Sequence, residues 1–251
     1  MIKMSSGFLS RVTTGKRKRP RLTTLYGVHG IGKTTWASKW PKPLFITWED
    51  GCADLDVAAF QPRDLADGWG ILAELGSPDF DGDYSTIVID SADWLEAEIQ
   101  RNVVERRGKK SLDDFDFGKG YHEAAEVFNK LLRMLGSVRD AGMHVVVLAH
   151  CEVKRHSPPG QDSYDRYAPK LHKETSAMLQ EWSDEVLFAG YETFVRKEDL
   201  GFKKERGVAV GGTNRVLHCQ ESAGYLAKNR LGLPAKMSFD FAEYETFLNQ
   251  V

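Results

Sequence analysis

The chain alternates short apolar runs with longer stretches in which apolar residues recur every three or four positions. Leu22-Thr23-Thr24-Leu25-Tyr26 reads as a strand, and Thr35-Trp36-Ala37-Ser38-Lys39-Trp40 as a helix that must end before Pro41. Pro43-Leu44-Phe45-Ile46-Thr47-Trp48 and Thr86-Ile87-Val88-Ile89 read as further strands, the second continuous enough to be buried on both faces. Between Trp94 and Arg107, Leu95, Ile99 and Val103 fall at helical spacing. Ala124, Phe128, Leu131, Leu132, Leu135 and Val138 form the clearest helical stripe, stopped by Gly142. His144 to Ala149 predicts another buried strand, Leu171 to Trp182 a helix and Glu185 to Tyr191 a strand. Beyond Phe194 the pattern is that of antiparallel strands, with a short helix over Phe241 to Leu248. The alternation predicts an α/β fold: a mostly parallel central sheet flanked by helices, with antiparallel strands at the C-terminal end. Two segments interrupt it. Gly108 to Gly120 is polar and glycine-bearing, and Glu152 to Lys170 predicts a long loop rich in Pro, Gly, Tyr and charge. Residues 1–21 read as a flexible basic segment, and residues 22–251 as one domain.

Composition narrows the partners only a little. With 34 Lys and Arg against 36 Asp and Glu, the net charge of −2 favours no class of partner, so any nucleic-acid surface is local. Cys52, Cys151 and Cys219 are far apart and form no CxxC, which predicts reduced thiols and gives zinc no ligand set. No apolar run reaches membrane-spanning length, and Met1 to Ser10 lack the apolar core of a signal peptide. The expectation is a cytoplasmic protein with no membrane partner.

The chemistry is concentrated after the first strand. Gly27-Val28-His29-Gly30-Ile31-Gly32-Lys33-Thr34-Thr35 fits G-x-x-x-x-G-K-[ST] between a predicted strand and a predicted helix, the context a phosphate-binding P-loop requires. Its backbone N–H groups and the helix N-terminus would cradle a triphosphate. Lys33 would reach the β- and γ-phosphates, and the Thr34 hydroxyl would join a Mg²⁺ shell. The expected cofactors are ATP and Mg²⁺. Asp90, at the end of an apolar strand, is the second metal-site candidate. Ser91 follows it where many P-loop ATPases carry a catalytic Glu; Glu49-Asp50, just after the preceding strand, offers a substitute, because adjacent parallel strands deliver residues to one edge of the sheet.

With these residues in view, the chain resembles the RecA family. Phe45-Ile46-Thr47-Trp48-Glu49-Asp50-Gly51, with Leu55-Asp56 beyond, is similar to the family's second-strand segment that ends in the catalytic Glu. Thr86-Ile87-Val88-Ile89-Asp90-Ser91 is similar to its Walker B strand. Val145-Val146-Val147-Leu148-Ala149-His150 resembles the next core strand, whose terminal polar residue senses the γ-phosphate; here that residue is His150, where the recombinases use an amide. Lys228-Asn229-Arg230 resembles the K-x-R pair that crosses to a neighbouring subunit's γ-phosphate. The resemblance, over roughly residues 22 to 235, is nearest to phage-encoded RecA-like ATPases of single-strand annealing and recombination. It implies a RecA-like core, self-association as a ring or filament with ATP at the subunit interface, and catalytic roles for Glu49, Lys33, Lys228, Arg230 and His150. It further implies that single-stranded DNA lies on two segments. Lys109 and Lys110 belong to the first, with Lys119, Arg106 and Arg107 nearby. Lys154, Arg155, Tyr164, Arg166, Tyr167 and Lys170 belong to the second, where cations meet phosphates and aromatics stack on bases. Lys16 to Arg19 could add a phosphate contact, and a single-strand-binding protein fits as a further partner. Alternative readings are a ring-helicase or translocase motor, a small-molecule P-loop kinase and a nonhydrolysing nucleotide-dependent regulator.

Overall fold

The structure, a computed structural model, describes residues 12–15, 18–49, 51–199 and 205–250, with backbone alone over 193–199 and 205–210. Asp50, Lys16 and Arg17, named above, lie outside the described residues, as does the segment Met1 to Ser10.

The strands are β1 (Leu22–Gly27), β2 (Pro43–Thr47), β3 (Ala58–Phe60), β4 (Thr86–Asp90), β5 (His144–His156), β6 (Tyr164–Pro169), β7 (Glu185–Asp199), β8 (Glu205–His218) and β9 (Lys236–Ser238). The helices are α1 (Lys33–Ala37), α2 (Leu65–Leu75), α3 (Ala92–Arg106), α4 (Lys119–Asp140), α5 (Lys173–Trp182) and α6 (Phe241–Leu248). In space the sheet runs β3-β2-β4-β5-β1-β7-β8-β9. It is parallel from β3 to β7, and β8 and β9 add antiparallel. The expected α/β architecture is therefore present: a mostly parallel sheet, flanking helices and antiparallel C-terminal strands.

Period-two alternation explains why the central strands lack polar positions: both faces are covered. Ile87, Ile89, Val145 and Val147 point into one core with Leu95, Ile99, Phe128 and Leu131 from α3 and α4. Val88, Val146 and Leu148 point into the other, with Trp36 and Trp40 near α1 and Phe241 and Tyr244 of α6.

Two departures from the sequence pattern matter for function. Glu152 to Lys170 is not a long loop. β5 continues through it to His156 and pairs antiparallel with β6, with Lys154 opposite Arg166 and Arg155 opposite Asp165. This hairpin is polar because it projects beyond the layered core, so it carries no apolar alternation to betray it. The helix α2 was also hidden, its apolar spacing diluted by Gly68 and Gly70. It is capped by Asp64, whose side chain accepts the Asp67 N–H, and Gly68 packs against the Trp48 ring. Between α3 and α4, the polar segment forms two single 3₁₀ turns, Leu112–Asp114 and Asp116–Gly118.

Candidate active site at the C-terminal edge of the sheet

The strand order decides which side chains meet. β5 lies between β1 and β4, so the ends of β1, β5, β4 and β2 deliver Gly27, His150, Asp90 and Glu49 side by side. In register, Gly27 pairs with His150 and Thr47 with Asp90. Ligands of open α/β sheets bind at this edge.

The P-loop is built by close approach. A Cβ on Gly27 would stand 2.3 Å from the Ala189 carbonyl oxygen of β7, so the first position of the motif admits no side chain. Gly32, at φ +100°, is the left-handed residue that turns the loop into α1. Lys33 is almost wholly buried, and its ammonium donates to the carbonyls of Gly27 and Val28, each at 3.3 Å. Burial pulls its pKa below the ordinary lysine value, against the opposing pull of Asp90 and Asp93.

Thr34 Oγ1 donates to Asp90 Oδ2 at 2.9 Å. Asp90 is 3% exposed, and burial pushes its carboxyl up to about 6 despite the Thr34 hydrogen bond and nearby Lys33. A buried carboxylate and a hydroxyl, both hard oxygen donors and short of positive charge, fit a small divalent cation. The Trp48 N–H donates to the Asp90 carbonyl at 2.8 Å, which brings Glu49 off the end of β2 to the same place. There Glu49 Oε1 accepts from Ser91 Oγ at 2.9 Å. The serine that follows Asp90 thus holds the Glu49 carboxylate beside it.

His150 is fixed by a residue that sequence reasoning overlooked. Asp93, on the first turn of α3, accepts the His150 backbone N–H at 3.0 Å and binds Nδ1 at 2.9 Å. Burial acts to raise the Asp93 pKa, but the hydrogen bonds from His150 outweigh it and hold the carboxyl below its ordinary value. On the other side, the His29 ring of the P-loop stacks on His150 with centroids 5.5 Å apart. Arg215 of β8 was missed as well: its guanidinium donates to the Ile31 carbonyl at 3.1 Å and lies over the Phe239 ring. The signal for Asp93 was present in its position three residues after Asp90. For Arg215, far along the chain, there was none.

Lys228 and Arg230 lie at the opposite edge. Lys228 pairs through its backbone with Val186, level with Thr24 at mid-β1. Its ammonium donates to the carbonyls of Gln180, Glu181 and Ser183 at 2.9, 3.0 and 2.6 Å, capping the end of α5. Arg230 reaches Asp184 at 3.5 Å, just before β7. Neither is delivered to the P-loop edge of its own chain.

The DNA candidates fall on two separate elements. Lys109 and Lys110 are exposed after α3, near Phe117, a fully exposed aromatic at φ +55° that the sequence reading had not singled out. On the hairpin, Lys154 donates to the Leu171 carbonyl at 2.6 Å and pairs with Glu152, Arg155 pairs with Asp165, and Arg166 with Glu221. Tyr164 meets the His156 ring edge-on, Tyr167 stacks on Phe188 and Lys170 is exposed.

Strand order and P-loop define the class: an α/β P-loop protein with a mostly parallel central sheet. The chain belongs to the AAA domain family, whose model matches residues 19–231. Among curated proteins it is similar to the SPbeta prophage-derived uncharacterized protein YorG of Bacillus subtilis (strain 168), 26% identical over 175 residues, covering 67% of this chain. The match covers 50% of that protein, so the chain spans about half the length of the curated relative. Among solved structures it is similar to the RadB recombinase at 14% identity, over 80% of each chain, with a TM-score of 0.44. Among the described residues no helix is long and apolar enough to cross a membrane.

Proposed function

We propose that this protein is a Mg²⁺-dependent ATPase that associates with itself and binds single-stranded DNA in phage recombination or single-strand annealing. The observation that carries the ATPase reading is the meeting of Lys33, Thr34, Asp90, Glu49 and His150 at one sheet edge although they come from three strands and a helix. Lys33 and Thr34 hold phosphate and metal together with Asp90, and Mg²⁺ supplies the charge that Asp90 lacks. Glu49, aimed by Ser91, orients and deprotonates the attacking water. His150, aimed by Asp93, reads the γ-phosphate position. The P-loop segment Gly27 to Thr35 wraps the triphosphate.

Self-association is supported by the placement of Lys228 and Arg230 at the far edge, from which they can serve only another subunit's nucleotide. DNA binding is supported by exposed Lys109, Lys110, Lys170 and Phe117 and by the cationic, tyrosine-bearing hairpin. Residues 22–251 make up the catalytic domain, and the basic segment 1–21 precedes it. The prophage setting of the curated relative supports a role in a phage-derived system acting in the host cytoplasm.

The test is ATP hydrolysis by Lys33→Ala alongside assembly of the wild-type protein on oligothymidylate. Turnover is expected to vanish in the variant, and assembly to respond to ATP and to the oligonucleotide. Normal turnover in Lys33→Ala would overturn the ATPase reading. Assembly indifferent to both ligands would overturn the recombination reading.

A further inference from the structure

A cavity of about 410 Å³ opens beside the P-loop, between β6, the paired strands β7 and β8, and the loop carrying Gly224 and Tyr225. Five rings wall it: Tyr167, Phe188, Tyr191, His218 and Tyr225. Four of them already pack ring on ring, Phe188 stacking on Tyr167 at 4.9 Å, on Tyr225 at 5.5 Å and on His218 at 5.7 Å. Two tyrosines stay open to solvent: Tyr167 is 38% exposed and Tyr191 43%. Flat walls of this kind select a flat ligand.

A second observation points the same way. His218 Nδ1 is buried and has no hydrogen-bond partner among the described residues. Such an atom costs free energy unless something that enters the cavity satisfies it. Burial lowers the His218 pKa, so its ring is neutral at pH 7 and carries one donor and one acceptor nitrogen. Glu192 and Lys236, paired at 2.6 Å, add a polar rim. An apolar side chain from a neighbouring molecule would leave Nδ1 unsatisfied; a heteroaromatic ring with polar atoms in its plane would not.

We propose that this cavity takes one unstacked base of the bound single strand, sandwiched against Tyr191 and Tyr167 and hydrogen-bonded by His218. The inference rests on the single-stranded DNA reading above and gives it a base-recognising site. The strand is favoured over a free nucleotide because Tyr167 belongs to the hairpin that carries Lys154, Arg155 and Arg166. The cavity also adjoins the ATP site. Val28 of the P-loop forms part of its wall, and the Val28 N–H donates to Ala189 at 3.4 Å, two residues before Tyr191. A base seated here presses on the loop that holds phosphate, giving each ligand a direct effect on the affinity of the other.

The experiment compares three oligothymidylates of equal length on the full chain: unmodified, carrying one 2-aminopurine, and fully abasic. Anisotropy reports total binding, and 2-aminopurine emission reports stacking. Binding with quenched emission is expected, with the unmodified strand held about tenfold more tightly than the abasic one. Tyr191→Ala and His218→Gln should each restore emission and remove that preference while leaving affinity for the abasic strand unchanged. Equal affinity for both strands, or quenching that persists in both variants, would overturn the cavity assignment while leaving DNA binding intact. ATP relieving the quench without releasing the strand would assign the cavity to the nucleotide's own base and likewise overturn it. No binding to any of the three would remove the DNA reading itself and the cavity assignment with it.

Discussion

The two edges of the parallel sheet both hold buried charges and treat them oppositely. At the N-terminal edge, the buried charges of Arg21, Asp184 and Glu185 are paired. Arg21 pairs with Glu185, which also accepts from Thr23 at 3.1 Å. Asp184 accepts the Leu22 N–H at 3.2 Å and pairs with Arg19 and Arg230, and His144 Nδ1 accepts the Arg21 N–H at 3.0 Å. At the C-terminal edge, Asp90 is pushed up to about 6, and among the described residues the Glu49 carboxylate meets a serine hydroxyl and Lys33 donates to backbone carbonyls. Matched charge there is structural; charge left short of a counter-charge is what a metal nucleotide can complete. Burial alone does not distinguish the two, and partner inventory does.

The contrast can be broken from either side. The largest effect should come from Glu49→Gln, which keeps the Ser91 hydrogen bond but removes the base. Turnover should fall on the order of 10²–10³-fold with nucleotide affinity little changed, measured by phosphate release against binding of a fluorescent ATP analogue. Glu185→Gln leaves Arg21 buried without its counter-charge and should cost on the order of 3 kcal/mol, seen as a lower melting temperature with kcat per folded molecule unchanged. A loss of turnover without a loss of stability would erase the distinction between the edges.

A pH scan tests the matched edge more gently. Burial lowers the His144 pKa from 6.5 to about 4, and Arg21 adds to the effect. Between those values the unfolded chain holds the extra proton, so stability should rise as pH climbs from about 4 to 6.5 and level off above. Unfolding free energies from urea titrations at pH 5 and 7.5 should therefore differ by on the order of 1–2 kcal/mol more in wild type than in His144→Asn. Smallest of all, Asp93→Asn should lower kcat about tenfold with KM nearly fixed, since it loosens the aim of His150 without touching phosphate. An unchanged kcat would reduce Asp93 to a packing residue.

Legibility in the sequence followed the same division. Gly27, Glu49, Asp90 and His150 were readable because each closes or soon follows the apolar run of a strand, and a buried parallel strand leaves little freedom in where the chain emerges from that run. Their mutual contacts were not readable, because they depend on β5 lying between β1 and β4, a choice made by long-range pairing. Arg215 and the cavity around His218 escaped for the same reason: strands far apart in the chain assemble them. The β5–β6 hairpin was taken for a loop because solvent on its flanks removes the alternation that marks a half-buried strand. Lys228 has a role its motif did not show: within this chain its three carbonyl contacts close the end of α5.

The uninterrupted run of β5 from His144 through His150 to His156 has a consequence for how such a chain can vary. Side chains along a strand swap faces with each residue, so inserting or deleting one residue after His150 would exchange the faces of Lys154 and Arg155 and slip both against β6. Length can change there only in matched pairs, one on each strand. The hairpin's reach is thus free to drift in steps of two, while the histidine at its root stays beside the P-loop.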